Sequence, residues 1–503
     1  MVAETNAWNA QLGKKKKETE KDAILYPKLK GFPMTQLLRR AVSQVSRAYR
    51  SRLQTAATAN AVLSCTTFNI HAPIYRRLGH DEESRESGSR DLWLSRNQKI
   101  LDLLLQKNSS VVCLQEFWLA NDELVQLYDR RLGDAGYKRY KLARTNDRGD
   151  GLLTAVKKDA LRVLDCRELH FHDCGDRVAQ VLHLKSNDKI GPREQQQVVL
   201  VNTHLIFPHA SNYSLLRLRQ AYKILKFVEH FKDERSLSHA PVLLCGDWNG
   251  SKRGQVYRFL RSQGFVSSYD MAREYWDIDA DAHRWVSHRN HHGNVCGVDF
   301  IWLLNPTRQQ PIPLRESWKR AVFGIIKLSF SASFVYFGSL FYLTWDRFSP
   351  FQSTLLREHG KQGRDAFGFF LQGKEHVTDQ DFHAAIKRLE LSKDELAEED
   401  LEGLSREEVE ELIVAADLDA NGVIDYKDFQ ERLLNHEKKS WLTRLFQGLH
   451  ETKSLAGADL QVQHASFYPP QVEEGTWPES YSLSDHAPLT ASFCPRQPGM
   501  LAL

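Results

Sequence analysis

Between residues 61 and 304 the chain alternates short apolar runs with longer stretches whose apolar positions recur at helical spacing. The runs Val62 to Ile70, Val111 to Gln115, Leu152 to Val156, Val178 to Leu184, Val198 to Thr203, Val242 to Cys245 and Val298 to Leu304 predict strands. The stretches at 91 to 107, 121 to 132, 214 to 232 and 254 to 262 predict helices. Such alternation points to an α/β domain. After Leu304 the pattern changes. Residues 308 to 470 carry a long aromatic-rich apolar stretch and then an acidic helical region, and strand character returns only at Ala487 to Phe493. The expected organisation is an extension over 1–60, an α/β domain over 61–305, an insertion over 308–470 and a returning strand within 475–495.

Length agrees with more than one unit, since 503 residues exceed the ~250 to 300 at which single cores stop growing. The net charge of +4 is too small to mark a nucleic-acid binder by its global field. Local charge is more informative. Residues 14 to 52 are basic, beginning with the run Lys14 to Lys17, whereas 390 to 411 are strongly acidic. The 35 to 53 stretch reads as a basic amphipathic helix through Leu37, Leu38, Val42 and Val45. The seven cysteines include no CxxC pair, and Cys65, Cys113 and Cys245 lie in apolar runs where a thiol acts as a small hydrophobe. This usage, with no apolar leader at the N-terminus, predicts a cytoplasmic or nuclear protein in a reducing compartment.

Six short motifs stand at predicted strand ends, where loops present side chains. They are Thr67-Phe68-Asn69-Ile70, Leu114-Gln115-Glu116, Asn202-Thr203-His204-Leu205, Gly246-Asp247-Trp248-Asn249, Val298-Asp299-Phe300-Ile301 and Ser484-Asp485-His486. Taken singly, each is ordinary. A GDxN is a turn, an SDH a helix cap, and an NTHL a strand with a satisfied histidine. Their conjunction supplies what phosphoester hydrolysis needs: carboxylates and amides for a hard cation, a water activator, and donors to phosphoryl oxygens.

On these motifs the chain resembles the endonuclease/exonuclease/phosphatase superfamily over about residues 61 to 305 and 475 to 495. The resemblance implies a four-layer α/β sandwich, two packed mixed sheets flanked by helices, with the active site at one edge. It implies Glu116 as principal ligand of Mg²⁺ (or Mn²⁺), with Asn69 beside it and Asp485 as second ligand or water-holder. Asp247 would activate the attacking water and Asn249 would hold water or phosphate. His204 would donate to phosphoryl oxygens, and His486 would meet the phosphate with Asp299 as its partner carboxylate. The phrase GDWNGSKRGQVYRFLRSQGFVSSYD resembles the deadenylase-like branch, and LQEFW, PVLLCGDWN and LRLRQAYKILKFVEHF resemble the sphingomyelinases equally well. The expected function is a calcium-binding, Mg²⁺-dependent phosphodiesterase, a deadenylase-like nuclease acting on RNA or DNA. The alternatives are a phospholipid hydrolase and a catalytically weak, calcium-responsive scaffold. The loop His288 to His292 is placed to touch substrate or to be plain polar surface. No sequence feature calls for an obligate oligomer.

Inside the insertion, residues 417 to 428 match a calcium loop. Asp417, Asp419 and Asn421 stand at positions one, three and five, Gly422 makes the sharp turn, Val423 offers its carbonyl, and Asp425 stands at nine. Position twelve is Asp428, one methylene shorter than the usual glutamate, which predicts weaker calcium binding with magnesium competition. Such hands pair. Aligning Val377 to Phe382 with Ile424 to Phe429 gives a partner lacking ligands, so an EF-hand pair over 365–435 is expected with only 417–428 competent for Ca²⁺. Residues 321–345 remain. Leu328 to Trp345 carries 18 residues without a charge, close to the ~20 of a membrane span. A single span would put Asp299 and His486 on opposite sides. Two readings survive, a strand or helix packed between the sandwich and the EF-hands, and a peripheral membrane contact that dips in and returns.

Overall fold

A computed structural model describes residues 63–78, 84–172, 174–187, 196–207, 213–275, 277–278, 280–307, 312–336, 376–389, 404–417, 423–429 and 459–496, with backbone alone over 327–336 and at 388, 426 and 429. The predicted extension over 1–60, its helix over 35–53 and the calcium ligands Asp419 and Asn421 lie outside these residues.

Fourteen described strands make two six-stranded mixed sheets and one small hairpin. The first sheet combines β1 (Leu63–Asn69), β2 (Val111–Trp118), β3 (Tyr137–Ala143), β4 (Asp150–Lys157), β13 (Leu460–Phe467) and β14 (Leu489–Pro495) in the order β13-β14-β1-β2-β4-β3. The second combines β5 (Leu161–His170), β6 (Val178–Ser186), β7 (Gln197–His204), β8 (Val242–Asp247), β9 (Val266–Ser267) and β12 (Asp299–Leu304) in the order β5-β6-β7-β8-β12-β9. The hairpin pairs β10 (His288–Arg289) with β11 (Val295–Cys296). Only β1 with β2 and β7 with β8 run parallel, the pairs bridged by helical crossovers. These are α1 (Arg90–Lys107) and α3 (Tyr213–Glu234); α2 (Asp122–Asp134), α4 (Gln255–Ser262) and α5 (Ser268–Arg273) complete the sandwich helices. The layers are those of the expected α/β sandwich.

The central strands read as unbroken apolar runs because both their faces are covered. Val198 to Val201 and Val242 to Cys245 are fully buried, as are Cys65, Cys113 and Cys245, which pack as core thiols. One polar tie crosses the core. Gln115 Nε2 of β2 donates to Asn202 Oδ1 of β7 at 2.8 Å, and Asn202 Nδ2 donates to Thr154 Oγ1 of β4 at 3.1 Å. A buried amide pair of this kind fixes one registry of the two sheets, because any slip would orphan both groups.

One sequence expectation differs from the structure and one is decided by it. Strand character returns at Leu460, not Ala487, and β13 pairs with β14 from Leu460 opposite Pro495 to Phe467 opposite Leu489. The alternation in Leu460-Gln461-Val462-Gln463 is masked by polar residues on its solvent side. The ends of the excursion are stapled together: Asn305 Nδ2 donates to the Leu460 carbonyl at 2.8 Å and its Oδ1 accepts from Leu460 N at 2.9 Å. Secondly, of the strand or helix expected over 321–345, the structure has a helix, although Leu328 to Phe334 alternates apolar residues with serine as a half-buried strand would. It belongs to α6 (Leu314–Tyr336). Here a serine-rich helix mimics period two. Trp318, Val322, Phe323, Ile325 and Ile326 of α6 are buried in the sandwich core, which agrees with the packed reading as far as Ile326. Among the described residues no helix is long and apolar enough to cross a membrane.

The acidic part of the insertion supplies α7 (Asp379–Arg388), α8 (Arg406–Ala416) and one turn, α9 (Tyr426–Phe429). Val377 and Ile424 form a two-bond antiparallel bridge, with N···O distances of 3.0 and 2.9 Å. The positions flanking the bridge are also equivalent. Thr378 and Asp381 cap α7 reciprocally, and Asp425 and Asp428 do the same for α9. The bridge joins the two residues aligned from sequence, although most of the predicted partner loop, residues 370–375, is outside the described residues. Helix α8 docks on the sandwich through ion pairs. Glu408 pairs with Arg219 of α3, and Glu411 with Arg315 and Lys319 of α6 at 3.0 and 3.3 Å.

Candidate active site

Glu116 is aimed by a defect in its strand. The β2–β4 register shifts between Leu114 and Phe117, and Glu116 takes the left-handed conformation at φ 54°. A bulge of this kind turns a side chain out of the pleat and toward a site. Its Oε1 accepts from Asn69 Nδ2 at 3.1 Å, and its Oε2 from Ala72 N at 3.0 Å. Asn69, at the end of β1, also donates to Asp247 Oδ2 at 3.1 Å. Three strand ends thereby meet.

Asp247 is the hub. Its Oδ1 accepts from Asn249 N at 2.9 Å, while Oδ2 lies 3.3 Å from His204 Nε2 and 3.6 Å from His486 Nε2. Its strand partner across β8–β12 is Asp299, so the register itself delivers two carboxylates to one place. The preceding Gly246 stands at φ 147°, and a Cβ there would lie 1.9 Å from the Thr203 carbonyl oxygen. Only glycine lets β8 run this close to β7 and bring Asp247 beside His204.

The two histidines have opposite partners. His486 Nδ1 meets Asp299 Oδ2 at 2.9 Å, and Ser484 Oγ braces the turn by accepting from His486 N at 3.1 Å and donating to the Asn69 carbonyl at 2.7 Å. His204 Nδ1 instead faces Arg177 Nη1 at 2.8 Å, and its Nε2 faces Asn249 Nδ2 at 3.0 Å. The electrostatic consequences diverge. Burial works against a charged His486, yet Asp299 and Asp247 carry it well above the usual imidazole range, so it is a cation at neutral pH. Burial and the Arg177 guanidinium push His204 well below that range, so it is neutral. Burial raises Asp247, assisted by the Asp299 charge and opposed by His486. Burial and the charges of Asp485 and Asp150 push Glu116 up to about 7.

Asp485 completes the site from another side. It lies 3.1 Å from His71 Nδ1 and 3.8 Å from His288 Nε2; burial opposes its charge, but His71, His486 and His288 hold it below the ordinary carboxylate range. Asp485 therefore faces a histidine set, while Glu116 and Asn69 face one another, and compact metal-type groups form as His288, Asp485, His486 and as Asp247, Asp299, His486. Asp485 reaches Glu116 by its field rather than by a contact.

Sequence reasoning singled out Asn69, Glu116, His204, Asp247, Asn249, Asp299, Asp485 and His486, and the structure gathers them at one edge of the sandwich. It also adds residues. His288 stacks on His486 with ring centroids 4.3 Å apart, which places the head of the His288 to His292 loop in the site. His71, Arg177 and the group Tyr75, Asp150 and Arg144, in which Tyr75 donates to Asp150 at 2.7 Å, were not singled out. The Asp150-Gly151 pair at a strand start was a signal that could have flagged Asp150. Nothing in the local sequence marks Arg177.

Of the calcium-type ligands, Asp417 ends α8 in an extended conformation, Asp428 is buried, and its Oδ2 accepts from Asp425 N at 3.2 Å. Val423 and Asp425 lie on the return toward the Val377 bridge.

The profile of the endonuclease/exonuclease/phosphatase family matches residues 66–420. An Arabidopsis thaliana protein described as an uncharacterized calcium-binding protein is 48% identical over 445 residues, covering 86% of this chain and 84% of that protein. The carbon catabolite repressor protein 4 homolog 3 of the same plant is 27% identical over 175 residues, 34% of this chain and 36% of that protein. Among solved structures, the human Nocturnin catalytic domain with bound sulfate is similar at a TM-score of 0.37 and 18% identity, over 48% of this chain and 81% of that chain.

Proposed function

The chain belongs to the endonuclease/exonuclease/phosphatase family, whose enzymes are metal-using phosphoester hydrolases, and from that premise we propose that it is a Mg²⁺-dependent phosphodiesterase, a nuclease of the deadenylase-like kind. The observation that carries the reading is Asp247, a buried carboxylate held between a cationic His486 and a neutral His204 beside the Asn69–Glu116 pair. Raised by burial, Asp247 is a competent acceptor for the proton of an attacking water. His486 and His204 each present an N–H to the place where phosphoryl charge grows, and Asp299 keeps the His486 imidazole charged and correctly turned. The Asn249 amide, fixed by donating to the Leu205 carbonyl at 2.9 Å, holds the phosphate or the water against Asp247.

The donor set fits a hard divalent cation. Glu116 is crowded by like charge from Asp485 and Asp150, which a cation relieves, and carboxylate and amide oxygens suit Mg²⁺ or Mn²⁺. Glu116 would hold it with Asn69, and Asp485 would hold its water; when bound it neutralises phosphate charge. A partial match, 19% identical over 43% of this chain, to a Candida albicans protein described as the 3'-5'-exoribonuclease subunit of the CCR4-Not complex supports a nucleic-acid substrate over a phospholipid. The test is hydrolysis of polyadenylate, sphingomyelin and phosphoinositides side by side, with Mg²⁺ or with Mn²⁺, and with Glu116→Ala as control. Release of nucleotide only by the wild type supports the reading. Cleavage of lipid alone moves it to the phospholipid branch, and undiminished turnover by Glu116→Ala defeats it.

We further propose that Asp417, Asp419, Asn421, Val423, Asp425 and Asp428 bind one Ca²⁺. The Val377–Ile424 bridge, the kind of contact by which EF-hands pair, supports this reading, as does the description of the 48%-identical relative as calcium-binding.

A further inference from the structure

His204 is flanked by donors. An arginine guanidinium can only donate hydrogen bonds, so at 2.8 Å from Arg177 Nη1 the Nδ1 atom must be the lone-pair end of the ring. A neutral imidazole has one such nitrogen. Its hydrogen therefore sits on Nε2, the atom that faces the catalytic centre. The Asn249 amide nitrogen also only donates, and its second hydrogen, beyond the one given to the Leu205 carbonyl, competes for the ring at 3.0 Å from Nε2. The guanidinium is nearer and charged, so the single lone pair goes to Arg177. Among the described residues the acceptor left for Nε2–H is Asp247 Oδ2, at 3.3 Å. Were the hydrogen on Nδ1 instead, it would collide with a charged donor, and Nε2 would turn a lone pair on the Asp247 carboxylate.

Arg177 is itself out of the ordinary. It is 9% exposed, no carboxylate lies within ion-pair distance of it among the described residues, and its Nε has no hydrogen-bond partner. Burying a guanidinium without a carboxylate in contact is costly, and the fields of Asp150, Glu116 and Asp176 offset that cost only in part, so a position that only had to fill space would be served better by a neutral side chain. Among the described residues its one hydrogen bond goes to the ring of His204.

We propose that Arg177 is a positioning residue that locks His204 as a neutral Nε2–H donor, so that proton acceptance in the site falls to Asp247 alone. The inference rests on the hydrolytic reading of this site. It explains why two histidines within reach of one carboxylate do different work. His486 has a carboxylate behind it, Asp299 Oδ2 at 2.9 Å from Nδ1. His204, backed by a guanidinium, is an uncharged donor that cannot compete for the proton of water. A ring free to rotate or to change tautomer would spend part of its time accepting from water or facing Asp247 lone pair to lone pair.

The test uses the full chain, Mg²⁺ and a chromogenic phosphodiester. Arg177→Met should lower kcat by ~10 to 10² while KM moves less than about twofold, because an orientation is lost rather than a substrate contact. Arg177→Lys, which also only donates, should restore kcat to within about threefold of wild type. In a His204→Gln background Arg177→Met should cost nothing more, since the two act through one ring. Nitrogen NMR of metal-free, histidine-labelled protein supplies a readout independent of turnover: the His204 Nδ1 signal should be that of an unprotonated nitrogen, and should lose that character in Arg177→Met. An increase in KM at constant kcat would make Arg177 a substrate-binding group and overturn the proposal, as would multiplying effects in the double variant or a protonated Nδ1 in the wild type. Absence of turnover in the wild type would instead strike at the hydrolytic reading and leave the NMR result to decide the tautomer. If Arg177→Met unfolds, the lysine variant and the NMR spectrum of the wild type carry the decision.

Discussion

The sandwich and the inserted hand both gather acidic residues, but by opposite routes. In the sandwich, side chains meet from strand ends remote in sequence, as when Ser484 donates to the Asn69 carbonyl across 415 residues. They are fixed by strand register and by a buried amide tie, and burial, assisted by the charges of Asp485 and Asp150, lifts Glu116 to about 7. In the acidic insertion, Asp425 and Asp428 come from one short stretch and spend oxygens locally, capping the turn that carries them. The first arrangement is set by the whole fold; the second is set by a local turn. Function needs the first kind where geometry must not move and the second where occupancy must respond to concentration.

The most damaging intervention is at the fold-set site. Glu116→Ala should remove metal-dependent turnover altogether, by ~10³ or more, and Asp247→Asn should lower kcat by ~10² with KM nearly unchanged. Residual activity of Glu116→Ala within tenfold of wild type at saturating Mg²⁺ would show that the cation is held elsewhere.

The raised Glu116 is measurable without substrate. A carboxylate raised from 4.5 to about 7 binds a proton in the folded state that it lacks when unfolded, so it stabilises at low pH and that contribution is lost as pH rises through 7. Metal-free Glu116→Gln should therefore match wild type near pH 4.5 and be more stable at pH 8, by on the order of 2 kcal/mol after discounting partial exposure. Equal urea midpoints at both pH values would mean that Glu116 is not crowded.

The local site should improve where the fold-set one breaks. Calorimetry should find one Ca²⁺ per chain at ~10⁻⁶ to 10⁻⁴ M, displaced by Mg²⁺, and Asp428→Glu should tighten it by about tenfold by restoring a bidentate arm. Two equal sites would contradict the unpaired ligand set. The smallest effect tests how separate the regions are. Arg219→Met breaks the pair with Glu408 between α3 and α8, and should cost about 1 to 2 kcal/mol in a single unfolding transition. Two resolved transitions in the wild type would mean that the hand folds independently.

Much of the architecture could be read from the chain. The buried runs are strands because they are short, rich in β-branched residues and covered on both faces, and the aligned Val377 and Ile424 do pair. What escaped has physical reasons. Strand β5 is half exposed, and β3 shows polar residues on its open face, so neither has a clean period. Over 328–334 serine at alternate positions imitated a strand inside a helix. At the site, motifs flagged the residues that carry oxygen or imidazole chemistry at strand ends, but not Arg177, His71 or the stacking of His288 on His486. Those depend on which side chains long-range folding makes neighbours, and no local spacing encodes that.

The place of β14 bears on how the molecule is made. This strand sits between β13 and β1, and Thr490 Oγ1 lies 2.8 Å from Thr66 Oγ1, 424 residues earlier. A ribosome adding ~5 to 20 residues per second leaves the apolar β1 without that neighbour for roughly 20 to 85 s. Through that interval a nascent chain offers an open strand edge, the kind that chaperones cover and that otherwise recruits a second copy. Asp485 and His486 emerge with the same segment, so a chain stalled before Ser484 carries Glu116 and Asp247 and lacks the histidine that faces them.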